Sequence, residues 1–209
     1  MARAVYLDHA STTPADPEVI AAMLPWYTEG FGNPSTVYSL GLTAADVVQK
    51  SRESIAQTIG AQPDEIYFTS GGTESDNWAI LGTADAQQKK GRHLITSVIE
   101  HHAVLESMEF LEKHGYEVTK VPVDSGGLVD PEDVRKAIRP DTVLVSIMHA
   151  NNEVGTIEPI AEIGKITREA GVLFHVDAVQ TAGKLPLDVT ELGVDMLSMS
   201  AHKFYGPKG

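Results

Sequence analysis

The chain has 209 residues and no cysteine, and 16 Lys+Arg stand against 29 Asp+Glu, a formal net charge of −13. That length suits one large α/β domain, or one and a fraction, and a hydrophobic share of 42% excludes intrinsic disorder. The acidic balance argues against nucleic acid or an anionic membrane as the main partner. Zero cysteines exclude a disulfide framework, a zinc–thiolate site and a thiol nucleophile within these residues. The N-terminal Met1-Ala2-Arg3-Ala4-Val5-Tyr6-Leu7-Asp8 has no signal-peptide apolar stretch and no run approaches membrane-spanning length, so a cytoplasmic protein is expected.

Residues 1–60 read as an arm belonging to a smaller domain. They hold one short strand, Ala4–Leu7, and two helical segments around the loop Gly30-Phe31-Gly32-Asn33-Pro34-Ser35. The second segment, Thr43–Gly60, places Val47, Val48, Ile55 and Ile59 on one face. From residue 61 to 209 short β-rich runs alternate with longer stretches of helical period. The predicted strands are Glu65–Thr69, His93–Ser97, Glu117–Val121, Thr142–Met148, Leu173–Asp177 and Asp195–Ser198. Apolar residues such as Val143, Leu144 and Val145 run consecutively in them, as in strands buried on both faces of a mainly parallel sheet. Between them, Val104, Leu105, Met108 and Leu111 share one helix face, and Ile160, Ile163 and Ile166 another, with helix stops at Gly60, Gly115 and Gly171. The expected fold is a three-layer α/β domain.

In open α/β sheets ligands sit at the carboxyl ends of the strands, and polar clusters recur there. After Thr69, Ser70-Gly71-Gly72-Thr73-Glu74 opens a helix. Small residues let backbone N–H groups approach an anion, although a helix cap with a capping acid fits equally well. Glu100-His101-His102 can bind metal, stack on a ligand or relay a proton; satisfied surface histidines are the commoner outcome, and no third metal ligand has a diagnostic spacing. His149-Ala150-Asn151-Asn152-Glu153 suggests a binding loop or a plain turn. Asp177 stands at a strand end where an acid can hold a ring nitrogen protonated, and His175 reads as a satisfied core residue. Lys203, flanked by Ser200, His202 and Phe204, can be desolvated into a nucleophilic amine. Each signal is weak alone. Together, an anion cradle, an acid, a histidine and a lysine are the parts that hold pyridoxal phosphate.

Seven segments in one order carry a resemblance: Tyr6-Leu7-Asp8-His9-Ala10-Ser11-Thr12-Thr13-Pro14, Gly32-Asn33-Pro34-Ser35, Thr69-Ser70-Gly71-Gly72-Thr73-Glu74-Ser75, Glu100-His101-His102-Ala103-Val104, Asn151-Asn152-Glu153-Val154-Gly155, His175-Val176-Asp177-Ala178-Val179-Gln180 and Ser200-Ala201-His202-Lys203. The whole chain resembles the NifS/IscS group of cysteine desulfurases, class-V aminotransferases among the fold-type-I pyridoxal-phosphate enzymes. The resemblance implies that Lys203 carries the cofactor as a Schiff base and shuttles protons at the substrate carbon. It implies that Asp177 pairs with the pyridine nitrogen and that His101 stacks on the ring. Gln180 would bond the phenolic oxygen, Asn152 would line the pocket, and Gly72, Thr73, Ser200 and His202 would hold the phosphate. No metal is expected.

The implied reaction converts L-cysteine to L-alanine and passes sulfur to an acceptor cysteine as a persulfide, for iron–sulfur cluster or other sulfur-containing cofactor synthesis. Implied partners are a sulfur-acceptor or scaffold protein and a second copy in a homodimer. The resemblance also divides the chain into the arm, 1–60, and an incomplete cofactor-binding large domain, 61–209. Two positions depart from the family pattern: Tyr38 stands where a histidine is usual, and Asp46 near where an arginine is common. Family members are about twice as long, and their second half supplies the persulfide cysteine and the arginine that clamps the substrate carboxylate. The chain is therefore expected to be the N-terminal part of such an enzyme: a truncation, a cleavage product or one member of a split pair needing a separate C-terminal half. The alternatives are selenocysteine lyase, another fold-type-I enzyme, or a non-catalytic fragment.

Overall fold

A computed structural model describes residues 4–208. Five strands form one parallel sheet in the order β2-β1-β3-β4-β5: β1 (His93–Ser97), β2 (Glu117–Val121), β3 (Thr142–Met148), β4 (Leu173–Asp177) and β5 (Met196–Ser198). All residues of β1 and β3 are buried, which is why their apolar side chains run without alternation. Leu94 and Leu144 face a cluster with Ile80, Ala84, Val104 and Met108, drawn from α4 (Gly72–Gln87) and α5 (His102–Lys113). Ile95, Val145, Ile147, Phe174 and Val176 face the opposite cluster with Val134, Ile160 and Ile163, drawn from α6 (Pro131–Ala137) and α7 (Ile160–Ala170). Helices on both faces of a parallel sheet make the three layers that the alternating pattern implies. A short α8 (Val189–Leu192) leads into β5.

The arm is built differently. Helices α1 (Pro17–Met23) and α2 (Pro25–Thr28) bury none of their residues. The long α3 (Ser39–Ile59) begins four residues before the expected Thr43 and joins the core only near its end, through Ala56 and Ile59. Leu7, Tyr27, Phe31, Val37 and Leu42 lie exposed. Glycine takes the left-handed C-cap after α3 at Gly60 and after α7 at Gly171; α5 ends one residue earlier than its expected stop, with His114 at the cap and Gly115 following at φ 84°.

Two expected strands do not form. Ala4–Leu7 is irregular, and Glu65–Thr69 opens as a short 3-10 turn over Pro63–Glu65 and continues unpaired. Local pattern creates extended backbone, whereas a strand also needs a neighbour, and none of the described residues lies in register with either segment. Tyr67, Phe68 and Thr69 make no backbone–backbone hydrogen bond among the described residues. Arg52 anchors the segment from α3, donating Nε–H to the Ile66 carbonyl at 3.1 Å and lying over the Phe68 ring. Between this segment and β5, the outer strand of the sheet, lies an open groove of about 750 Å³ lined by Ile66, Tyr67, Trp78, Met196, Leu197 and Met199 among others.

Candidate active site

Four strand ends and one helix start converge on a cavity of about 600 Å³. Gly72, Thr73, His101, Asn152, Asp177, Gln180, Ser200, His202 and Lys203 all line it. Asp8, Ala10, Ser11 and Asp76, which carry no site role in the sequence pattern, line it as well, as does Glu153 of the expected binding loop after β3. Asp8, Ala10 and Ser11 belong to a motif the sequence reading quoted, but nothing in its spacing ties it to the far end of the chain. The structure ties it directly. Thr13 N–H donates to the His202 carbonyl at 2.8 Å, Tyr205 N–H donates to Thr13 Oγ1 at 2.7 Å, and Asp16 N–H donates to the Tyr205 carbonyl at 2.9 Å.

The α4 start combines both readings of its sequence. The Glu74 carboxylate accepts from Ser70 N–H, the capping-acid arrangement, and these bonds hold it below the usual carboxylate range. The N–H groups of Gly72, Thr73 and Glu74 nevertheless have no acceptor among the described residues. They point the positive end of a helix of 16 residues at the cavity rim. A Cβ at Gly72 would stand 2.8 Å from Val179 Cγ2, so only glycine lets this backbone lie so close to the loop after β4.

Asp177 closes β4 with the next residues turned beneath it: its Oδ1 accepts from Val179 N–H at 2.9 Å. Burial pushes its carboxyl up, while the Val179 bond and the facing His101 and Lys203 pull the other way. His101 caps α5, its Nδ1 accepting from Ala103 N–H at 3.1 Å, which leaves Nε2 to carry the proton of the neutral ring. Lys203 sits in the 3-10 turn Ala201–Lys203 and donates Nζ–H to the Ala10 carbonyl at 2.5 Å. Burial and then Lys184 lower its amine from the ordinary lysine value, against the opposing pull of Asp177 and Asp8. Gln180 Nε2 donates to the same carbonyl at 2.8 Å.

Neighbouring polar residues divide into frame and pocket. Asn151 is frame: its Oδ1 accepts from the N–H groups of Glu153 and Val154 at 2.8 and 3.0 Å, and its Nδ2 donates to the Ile99 carbonyl at 2.8 Å, which presents Asn152 to the cavity. His175, fully buried, joins Ser146 Oγ at 2.9 Å and Ser198 Oγ at 3.0 Å, the satisfied core histidine its sequence context suggested.

The model of the aminotransferase class-V family matches residues 5–209. The chain belongs to that family. This class-V aminotransferase chain is 60% identical over all 209 residues to a cysteine desulfurase IscS of Dictyoglomus turgidum, covering 53% of it, and 56% identical over 207 residues to a cysteine desulfurase IscS of Methanosarcina thermophila, covering 51%. It thus spans about half the length of the curated relatives it matches. Among solved structures it superposes at a TM-score of 0.95 on SspA in complex with cysteine (45% identity, 98% of this chain and 59% of that one). The TM-score is also 0.95 on a NifS-like protein (47% identity, 98% and 57%). These relationships establish for the class-V chain the fold of the NifS/IscS desulfurases.

Proposed function

We propose that this chain is the cofactor-holding part of a pyridoxal-phosphate-dependent cysteine desulfurase. The observation that carries the reading is the convergence of Lys203, Asp177, His101, Gln180 and the bare α4 amides on one cavity. The donor set fits the cofactor: unpaired amides at a helix start for a phosphate, an acid for a ring nitrogen, an amine for an aldehyde. Gly72, Thr73, Ser200 and His202 would hold the phosphate, Asp177 the ring nitrogen, Gln180 the phenolic oxygen and His101 the ring face. Bound there, pyridoxal phosphate supplies the electron sink that makes bonds at an amino acid's α-carbon labile.

The chain's own groups do the rest. Burial lowers the Lys203 amine from the ordinary lysine value, which eases loss of its proton so that Nζ can attach the cofactor and later move a proton at the substrate α-carbon. His101 Nε2 is the second proton-carrying group on the cavity wall. The net change takes L-cysteine and an acceptor thiolate to L-alanine and a persulfide. The 209 residues hold no thiol to accept the sulfur.

Completion of the site by the second half present in the longer relatives, in the same chain or a separate one, accounts for that gap. The open groove beside β5 and the exposed apolar arm are the surfaces left for it and for a second copy in a homodimer. We take residues 61–209 as the cofactor domain and 1–60 as the arm, place the protein in the cytoplasm, and assign its sulfur to iron–sulfur cluster or related cofactor assembly. The test is product analysis with L-cysteine, using the chain alone and with the second half of the Dictyoglomus turgidum relative supplied. With dithiothreitol present to reduce the persulfide to thiol and sulfide, L-alanine and sulfide in equal amounts, formed only with the second half, are expected. A keto acid product would move the reading to an aminotransferase, preference for selenocysteine to a selenocysteine lyase, and no product in either case would refute it.

A further inference from the structure

Two buried carboxylic acids, Asp76 and Asp177, line the cavity and a third, Glu100, is buried beside them; of the three the proposed function uses only Asp177. Asp76, in the second turn of α4, has a side chain 2% exposed, and its Oδ1 meets no hydrogen-bond partner among the described residues. Glu100, on the loop before His101, is 6% exposed. Its Oε1 accepts from Ser97 Oγ–H at 2.6 Å and from Met148 N–H at 3.0 Å, while its Oε2 is buried without a partner.

What faces each acid differs. Around Asp76 stand His175 and Asp177 of β4 and Ser198 of β5. His175 Nε2 lies 3.6 Å from Asp76 Oδ1, but burial lowers that imidazole to about 4, so it is uncharged near neutral pH and the approach is no ion pair. Around Glu100 stand Ser97 of β1, the Met148 amide of β3, and the like charges of Asp177 and Asp76. The nearby basic side chains, Lys203 and the imidazole of His101, act on Asp177. Three ionised carboxylates with a cation beside only one of them would leave two buried charges uncompensated.

We propose that Asp76 and Glu100 are positioning residues, held as neutral acids so that Asp177 alone of the three offers negative charge to a cationic group above it. Burial, reinforced by the like charges nearby, raises both carboxyls to about 8. The assignment rests on the cofactor reading for the use made of Asp177, but its chemistry can be tested on the apoprotein.

The unfolded chain releases these protons near pH 4 and the folded chain keeps them to about pH 8, so stability is lost progressively as pH rises between those values. Glu100→Gln and Asp76→Asn keep shape and neutrality without that loss. The melting temperature of each variant, minus that of the wild-type apoprotein, should grow by several degrees from pH 5 to pH 8. A difference that is flat with pH is what a purely structural role gives, and it would overturn the proposal, as would one that shrinks. Infrared difference spectra at pH 7 give a second readout: subtracting each variant should expose the C=O stretch of a protonated carboxylic acid, and a carboxylate band in its place would equally overturn it. Failure of the chain to bind pyridoxal phosphate would sink the proposed function while leaving both apoprotein readouts intact.

Discussion

The Ala10 carbonyl accepts from both Lys203 Nζ and Gln180 Nε2, at 2.5 and 2.8 Å, so a backbone atom of the arm takes one donor from each of two side chains proposed to meet the cofactor. Asp177, by contrast, accepts from the Val179 N–H and lies buried, and the proposed function pairs it with a cationic ring nitrogen. A hydrogen bond to a charged group is worth about 1.5–3 kcal/mol, so Asp177→Asn should weaken pyridoxal-phosphate binding roughly ten- to a hundredfold, read by titrating visible absorbance. An unchanged affinity would remove Asp177 from the site. At this scale the sequence was most informative where chemistry is local: Gly72-Thr73, His101, Asp177 and Lys203 each follow or open a recognisable element. Asp8, Ala10 and Asp76 were not legible. The first two reach the cavity through bonds to residues 202–205, and Asp76 looks like any polar residue of a helix until the fold turns it inward.

At the scale of elements, β1, β2, β3 and β4 formed with the bounds their apolar runs imply, because each is flanked by a strand that the same chain supplies. The segment Ile66–Thr69 has equal local propensity and no neighbour. Propensity sets the extended backbone, and pairing, which is non-local, decides whether it becomes a strand. Amide exchange should therefore be near free-chain rates at Tyr67, Phe68 and Thr69 and strongly retarded in His93–Ser97 and Thr142–Met148. Adding the second half found in the longer relatives should slow exchange at Tyr67–Thr69. Unaltered rates in a complex that forms would place the second half elsewhere.

For the whole molecule, two core clusters on the faces of the five-stranded sheet give a self-contained framework, whereas the arm leaves Leu7, Tyr27, Phe31 and Val37 in solvent. The three-layer class was legible because strand–helix alternation repeats along residues 61–209. Which surfaces remain open was not, since that depends on partners a single chain does not encode. The framework's central claim is that its lysine at the end of β5 holds pyridoxal phosphate. The most direct test is to load the purified chain with the cofactor, reduce it with borohydride and map the adduct by peptide mass spectrometry. The account predicts one phosphopyridoxyl group, on Lys203, and none in Lys203→Ala; a chain that takes up no cofactor, or carries it on Lys184 or Lys208 instead, would contradict it.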